Sequence, residues 1–398
     1  MARQLSLVPA PPPGPAVLTD VWPHVRAALD GDAPLAVVPA DPGPAARAAA
    51  VLRPEVPLED GADLVVLTSG STGDGRGVLL TAAALRASAT ATLARLGGPG
   101  GWVLALPVSA IAGLQVLVRS ALAGRPPAVL GPGDRLADAL VRTPGERRYT
   151  ALVPTQLRRF LAAEPEALRG FDAVLVGGAA TDPALLAQAR DAGVAVVTTY
   201  GMSETSGGCV YDGAPLDGVG VRVTAQGIEL SGAQLAQGYR LDPAATAEAF
   251  VVDGAGTRWF RTRDAGAWQI GTRRAYSPLD PAVAEQARLV VEGRLDDVVV
   301  TGGVNVAPPA VEAALREHPD VADAVVLGRP DAEWGARVVA AVVPSPGAVP
   351  DLAVLRAWVS ERLGPPAAPK ELHVLDAVPV LHTGKPDRRA VTRLIEGT

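Results

Sequence analysis

The segment Thr68-Ser69-Gly70-Ser71-Thr72-Gly73 places hydroxyls and glycines at six consecutive positions, straight after the apolar run Leu64–Leu67 and just before Arg76 and Gly77. Glycine reaches φ > 0 and lets backbone come close to a ligand. A strand that opens into such residues presents a nest of N–H and O–H donors, which suits phosphate oxygens. With a cation beside it, the segment predicts an anion-holding loop rather than an ordinary Ser/Gly turn. A second signal is scarcity: of 36 basic residues only Lys370 and Lys385 are lysines. Coding bias is the simplest reason for so much arginine. A surviving lysine marks a place where a compact ammonium is needed, which arginine's planar fork cannot replace. Lys385 lies in the Gly/Pro-bounded turn Thr383-Gly384-Lys385-Pro386; the alternative is a solvated surface lysine.

Composition limits the classes that could use such groups. At 398 residues the chain suits two or three domains, and a 48% hydrophobic, 20% charged composition is globular. A net charge of −6 with no basic block excludes a general nucleic-acid binder. One cysteine, Cys209, rules out an internal disulfide framework, and with no signal peptide visible the expectation is a reducing cytoplasm. Apolar runs are short and broken, so no membrane span is expected. The four histidines are scattered, which leaves a zinc site without ligands.

The elements that must hold these groups follow from hydrophobic period. The first 15 residues, with prolines clustered at 9–15, are expected to be irregular. Between 60 and 210, strand patterns at 64–68, 102–106, 127–130, 149–153, 173–176 and 194–199 alternate with helical ones near 81–96, 111–123, 155–163 and 183–192. That alternation predicts an α/β fold with a mostly parallel, helix-covered sheet whose ligands bind at strand C-termini. Three suggestive segments follow strands: 68–73, Gly177-Gly178-Ala179, and Tyr200-Gly201-Met202-Ser203-Glu204. Residues 215–270 read as short antiparallel strands, 271–288 as a loop, and the part beyond about 297 as a separate α+β unit.

Taken together, the motifs resemble the adenylate-forming acyl-CoA synthetase superfamily. The likeness rests on Thr68–Gly77, Tyr200–Thr205, Arg261-Thr262-Arg263-Asp264, Gly293–Asp297, Gly302–Val306 and Thr383-Gly384-Lys385, in that order. Six ordered motifs are specific where one alone is weak. A narrower likeness, carried by Leu106-Pro107, Ile111–Arg119, Val153–Leu157 and Gly207–Tyr211, is to 2-succinylbenzoate–CoA ligases of menaquinone synthesis, of the actinobacterial type.

The resemblance implies a large N-terminal domain (1–293) with mostly parallel sheets and a small β subdomain, a hinge (294–297), and a small mobile α+β domain (298–398). It implies an AMP-forming ligase: a carboxylate attacks the α-phosphate of ATP, and CoA thiol then displaces AMP. Ser69, Gly70, Ser71, Thr72 and Gly73, with Thr68 and Arg76, would hold the outer phosphates. Glu204 would bind Mg²⁺. Tyr200, followed by Gly201, Met202 and Ser203, and the wall Gly178-Ala179-Ala180 would flank adenine, while Asp264 and Arg294 would reach the ribose. Lys385 would bridge carboxylate and α-phosphate, Asp296 would be the hinge, and Gly302-Gly303 would line the thiol tunnel. Ser109, Ile111, Gly113 and Gly178 would border the acid, and Arg119 would grip the second carboxylate of 2-succinylbenzoate. The family usually has a histidine where this chain reads Val108-Ser109-Ala110. Other readings therefore stay open: a different aryl or acyl acid ligase, an enzyme loading a carrier protein, or a nucleotide- or acyl-adenylate-binding protein without turnover. The sequence also leaves a homodimer open.

Overall fold

The computed structural model describes residues 3–68, 75–271, 273–275, 287–380 and 386–397. They form two compact units: residues up to Arg222 together with Glu229–Thr262, and Val223–Ile228 together with Arg263 onward.

In the first unit, β1 (Ser6–Ala10), β2 (Leu35–Pro39), β3 (Leu64–Thr68) and β4 (Arg76–Leu80) form one sheet in sequence order, completed by the two-residue strand β14 (Gly238–Tyr239). β1 and β2 are parallel, whereas β3–β4 is an antiparallel hairpin whose last pair is Thr68 and Arg76. The opening segment is thus not irregular. Leu5 and Val8 are buried, and Pro9 is tolerated because an edge strand can spare a donor.

A second sheet of seven strands runs β11 (Ala214–Pro215), β10 (Gly207–Tyr211), β9 (Val196–Met202), β8 (Ala173–Val176), β7 (Arg148–Leu152), β5 (Gly101–Leu104), β6 (Ala128–Val129). From β6 to β9 all pairings are parallel, as the alternating pattern requires. The four strands β5, β7, β8 and β9 carry short β-branched and leucine runs that are buried at Val103, Leu152, Val174 and Val196, the mark of a sheet covered on both faces. Helices Ala82–Arg95, Ile111–Leu122, Pro154–Ala163 and Pro183–Asp191 fall within a residue or two of expectation. Thr81 stops the first of them from fraying by accepting from Ala84 N–H at 2.9 Å. A further small sheet runs β12 (Gly220–Thr224), β13 (Gly227–Ser231), β16 (Arg258–Arg261), β15 (Phe250–Val252).

The second unit contains the sheet β18 (Arg273–Ala275), β17 (Asp264–Ile270), β19 (Ala287–Arg294). The loop expected over 271–288 therefore includes strand residues at both ends; the apolar alternation there is too short to read, and 276–286 lie outside the described residues. Beyond it, β20 (Val299–Thr301), β21 (Val304–Val306), β22 (Val321–Asp331), β23 (Gly335–Pro344) and β24 (Glu371–Val374) make a mostly antiparallel sheet. Helices Pro308–Arg316 and Leu352–Leu363 cover it through Val311, Leu315, Leu355 and Val359. Compactness groups the β17–β19 sheet with the C-terminal part, so the expected boundary at 293/294 falls inside this unit. Among the described residues no helix is long and apolar enough to cross a membrane.

Candidate active site

The parallel sheet fixes where the first unit can bind a ligand. Its chain order turns outward from β5 to β6 on one side and runs β7–β8–β9 on the other. Crevices open at the C-terminal ends of strands beside such a reversal. Gln156 ties the two central strand ends together: its Nε2 donates to Ala105 O at 2.7 Å and its Oε1 accepts from Val153 N–H at 3.1 Å. Ser109 and Ile111, half-buried, follow the end of β5. Gly113 is required by contact, since a Cβ there would meet Pro107 O at 2.2 Å.

At the same sheet end, the Gly177–Ala180 turn leaves β8 against β9. A Cβ on Gly177 would strike Thr199 Oγ1 at 2.2 Å, so the turn presses on the residue before Tyr200. Gly178 takes φ +83°, and Gly178, Ala179 and Ala180 are exposed. The structure thus brings together the two segments expected to flank a flat ring. Gly201 allows the hairpin from β9 to β10 to close, because its Cβ would sit 2.2 Å from Gly207 O.

Glu204 stands in the one-turn helix Ser203–Thr205 directly after β9. The turn is pinned on several sides. Met202 N–H donates to Thr205 Oγ1 at 2.9 Å, and the Thr205 hydroxyl donates to Gly207 O at 2.8 Å. Ser206 O accepts from Gln115 Nε2 at 2.7 Å and from the Ser88 hydroxyl at 3.0 Å, while the Ser206 hydroxyl donates to Gln234 O at 2.8 Å. Glu204 itself accepts from Ala236 N–H on its backbone oxygen at 2.8 Å. Its carboxylate Oε1 accepts from the Tyr239 hydroxyl at 3.0 Å. Tyr239 lies on β14, register partner of Val78 on β4, and Arg76 holds its guanidinium 5.3 Å above the tyrosine ring. One strand thereby joins the base of the 68–76 hairpin to the Glu204 turn. Nothing in the sequence announces Tyr239; only the pairing of β14 with β4 gives it these partners, while Gln115, within the Ile111–Arg119 motif, gains its partner as helix Ile111–Leu122 packs on β10.

Arg119 is 3% exposed, between the Trp102 ring at 5.0 Å and the hydroxyls of Thr92 and Tyr211 at 3.4 and 3.5 Å. Its Nε has no hydrogen-bond partner, and among the described residues it makes no ion pair. Burial pushes its pKa down. Arg240, equally buried, shows the usual solution: its fork donates to Leu52 O, to Arg53 O at 2.8 Å, to Val56 O at 2.7 Å and to the Glu59 carboxylate at 2.8 Å. Cys209, on β10, is buried, and burial pushes its thiol up to about 12.

In the second unit, Asp264 and Arg294 are register partners on β17 and β19, which places the expected ribose pair side by side. Gly302 and Gly303 are exposed and take φ +58° and +78°, at the turn between β20 and β21. Asp296 falls in the one-turn helix Leu295–Asp297. Ser69, Gly70, Ser71, Thr72, Gly73 and Lys385 lie outside the described residues. Gly75 bounds the loop on one side with φ +74°, where a Cβ would meet Thr68 O at 2.2 Å. The hairpin base is thus narrow enough to need glycine.

Among the described residues no group of three or more His, Cys, Asp and Glu could hold a metal by itself. A single carboxylate at Glu204 fits a Mg²⁺ that brings phosphate oxygens and water as its other ligands.

A parallel sheet carrying these segments at its strand C-termini, together with a separate small α+β unit, defines an α/β protein of the class that binds ligands at strand ends. The chain belongs to the AMP-binding enzyme family: residues 17–253 match that family, and residues 310–385 match the AMP-binding enzyme C-terminal domain. It is 47% identical over 349 residues to a probable 2-succinylbenzoate–CoA ligase of Mycobacterium tuberculosis, covering 85% of this chain and 86% of that one. It is 31% identical over 407 residues to the 2-succinylbenzoate–CoA ligase of Geobacillus kaustophilus, covering 94% of this chain and 77% of the relative. In fold it is similar to an o-succinylbenzoate–CoA synthetase from Bacillus subtilis solved with ATP and magnesium ion, with a TM-score of 0.78 at 22% identity over 98% of this chain and 89% of that one.

Proposed function

We propose that the protein is an ATP-dependent acid–CoA ligase that converts 2-succinylbenzoate to its CoA thioester by way of the acyl-adenylate, and that it works in the cytoplasm as part of menaquinone synthesis. The observation that carries the choice of acid is the kinship at 47% identity to the Mycobacterium tuberculosis protein of that name. The physical support is Arg119. A buried charge without a counter-charge costs several kcal/mol, and 2-succinylbenzoate has a second carboxylate able to supply one. Arginine grips a carboxylate bidentately.

In this reading the donors of Ser69–Gly73, with Thr68 and Arg76, hold the β- and γ-phosphates. Gly178–Ala180 and Tyr200–Ser203 hold the adenine, and Asp264 and Arg294 the ribose hydroxyls. Glu204 would hold Mg²⁺, whose charge when bound offsets the phosphate oxygens. Ser109, Ile111 and Gly113 border the acid. As the acid's oxygen closes on the α-phosphate, two negative groups converge, and the ammonium of Lys385 meets both. Pyrophosphate leaves; the CoA thiol, guided by Gly302-Gly303 after a turn about Asp296, then attacks the acyl carbon and AMP leaves.

A second reading, a different aryl or acyl acid, draws on Val108-Ser109-Ala110, which stands where the family usually has a histidine; Val108 is buried in the core. The deciding experiment incubates the protein with ATP, Mg²⁺, CoA and a panel of aromatic and aliphatic acids, with mass-spectrometric detection of acyl-CoA. 2-Succinylbenzoyl-CoA as the main product supports the proposal. Another thioester supports the second reading, and nucleotide binding without pyrophosphate release refutes both.

A further inference from the structure

We propose that Tyr239 is a positioning residue that sets the Glu204 carboxylate and the Arg76 guanidinium at a fixed separation, so that cation and outer phosphates are met by a single prearranged frame. The proposal rests on the reading of Glu204 as the Mg²⁺ carboxylate. Its geometry is wholly within the first unit. The phenol hydroxyl donates to Glu204 Oε1 at 3.0 Å, and the ring face lies 5.3 Å beneath the Arg76 guanidinium. The ring is itself immobilised. Tyr239 is 8% exposed, stands edge-on to Phe250 at 5.9 Å, and has its backbone N–H donated to the Thr246 hydroxyl at 2.8 Å. Its strand is held to β4 through the Tyr239–Val78 and Gly238–Leu79 pairs. Three residues earlier, Ala236 N–H fixes the Glu204 main chain at 2.8 Å. The carboxylate is therefore held at both its backbone and its side chain by one short strap. Arg76 keeps its orientation through a further contact with Asp242 Oδ2 at 3.8 Å, on the same strap.

The two ends of the phenol make separable demands. The hydroxyl orients a carboxylate that a cation must meet, and loss of such an outer partner costs roughly 10–100-fold in metal affinity. The ring attracts a guanidinium through its face, which phenylalanine preserves and leucine does not. Tyr239→Phe thus removes one function and Tyr239→Leu removes both.

The test measures ATP binding to the full-length protein by calorimetry, once with Mg²⁺ and once in EDTA, and takes the ratio of the two affinities. For Tyr239→Phe the ratio should fall at least about 10-fold, with the EDTA affinity and Tm unchanged. Glu204→Gln should lower the ratio at least as much, and the double variant should fall no further than Glu204→Gln alone. Tyr239→Leu should in addition weaken binding in EDTA. If Glu204→Gln lowers the ratio and Tyr239→Phe does not, the role of Tyr239 is overturned while the Glu204 reading stands. If Glu204→Gln leaves the ratio unchanged, the Glu204 reading is overturned and this proposal with it. Equal EDTA affinities for the Phe and Leu variants would overturn the placement of Arg76 by the ring.

Discussion

Two buried arginines separate structure from function in this chain. Arg240 spends its donors on four carbonyls and a carboxylate, whereas Arg119 has only two long contacts to hydroxyls and an unpartnered Nε. A group that only props the fold should cost stability when replaced; a group awaiting an anion should cost substrate binding. Arg119→Gln is therefore expected to raise the KM for 2-succinylbenzoate about 10-fold or more, in line with a lost charge-assisted contact, while the KM for ATP stays close to wild type. Steady-state kinetics with each substrate varied in turn checks this, and parallel rises in both constants would refute it. Lys385→Ala should remove adenylation by roughly 10²–10³ yet spare thioester formation from preformed acyl-adenylate. Single-turnover assays of the two half-reactions give that contrast, and equal losses would assign the lysine elsewhere. Both residues are proposed from motif order, and Lys385 also from scarcity, which are properties of the sequence itself. Tyr239 was not legible in this way. Its meaning comes from a hydrogen bond to a residue 35 positions away, and an aromatic in a two-residue strand has no period to betray it.

At the scale of elements, the sheet end is shaped by positions that cannot carry a side chain. Gly177 and Gly201 admit no Cβ because Thr199 Oγ1 and Gly207 O lie at 2.2 Å. At Gly201 the obstacle is backbone, which cannot rotate away. Gly201→Ala should lower stability by about 1–3 kcal/mol, the usual cost of overpacking, and should weaken ATP binding, since the hairpin that carries Glu204 must spread. Thermal unfolding and calorimetry together test it; a variant with unchanged Tm and unchanged ATP affinity would contradict the packing argument. The parallel strands and their helices could be read from apolar period, because a sheet buried on both faces writes its pattern continuously into the chain. β1 could not, since Pro9 and the prolines just after it mimic a loop while an edge position forgives Pro9. The β17–β19 sheet was hidden for a different reason: its strands are separated by residues 276–286, and pairing across such a gap leaves no local mark.

At the scale of the whole molecule, the proposed two-step reaction calls for a hinge, expected at Asp296. The one-turn helix Leu295–Asp297 adjoins Arg294 at the end of β19. A hinge is a few residues that absorb large dihedral changes, and proline fixes φ near −65°. Asp296→Pro is expected to keep pyrophosphate release with acid and ATP but to lose CoA thioester formation. Retained CoA turnover would remove the hinge from Asp296. The change in pattern near residue 297 suggested a separate α+β unit with its boundary at 293/294, whereas compactness groups Arg263 onward with that unit, because compactness depends on which sheet a strand joins rather than on its own composition. A last consequence belongs to Cys209. It is the chain's sole thiol, 1% exposed, on the strand that follows the Glu204 turn, with ionisation postponed to about 12. An alkylating dye should find it only when that strand is momentarily released, so the rate of colour development is a built-in stopwatch for breathing beside the Glu204 turn, and a bound nucleotide should slow its ticking.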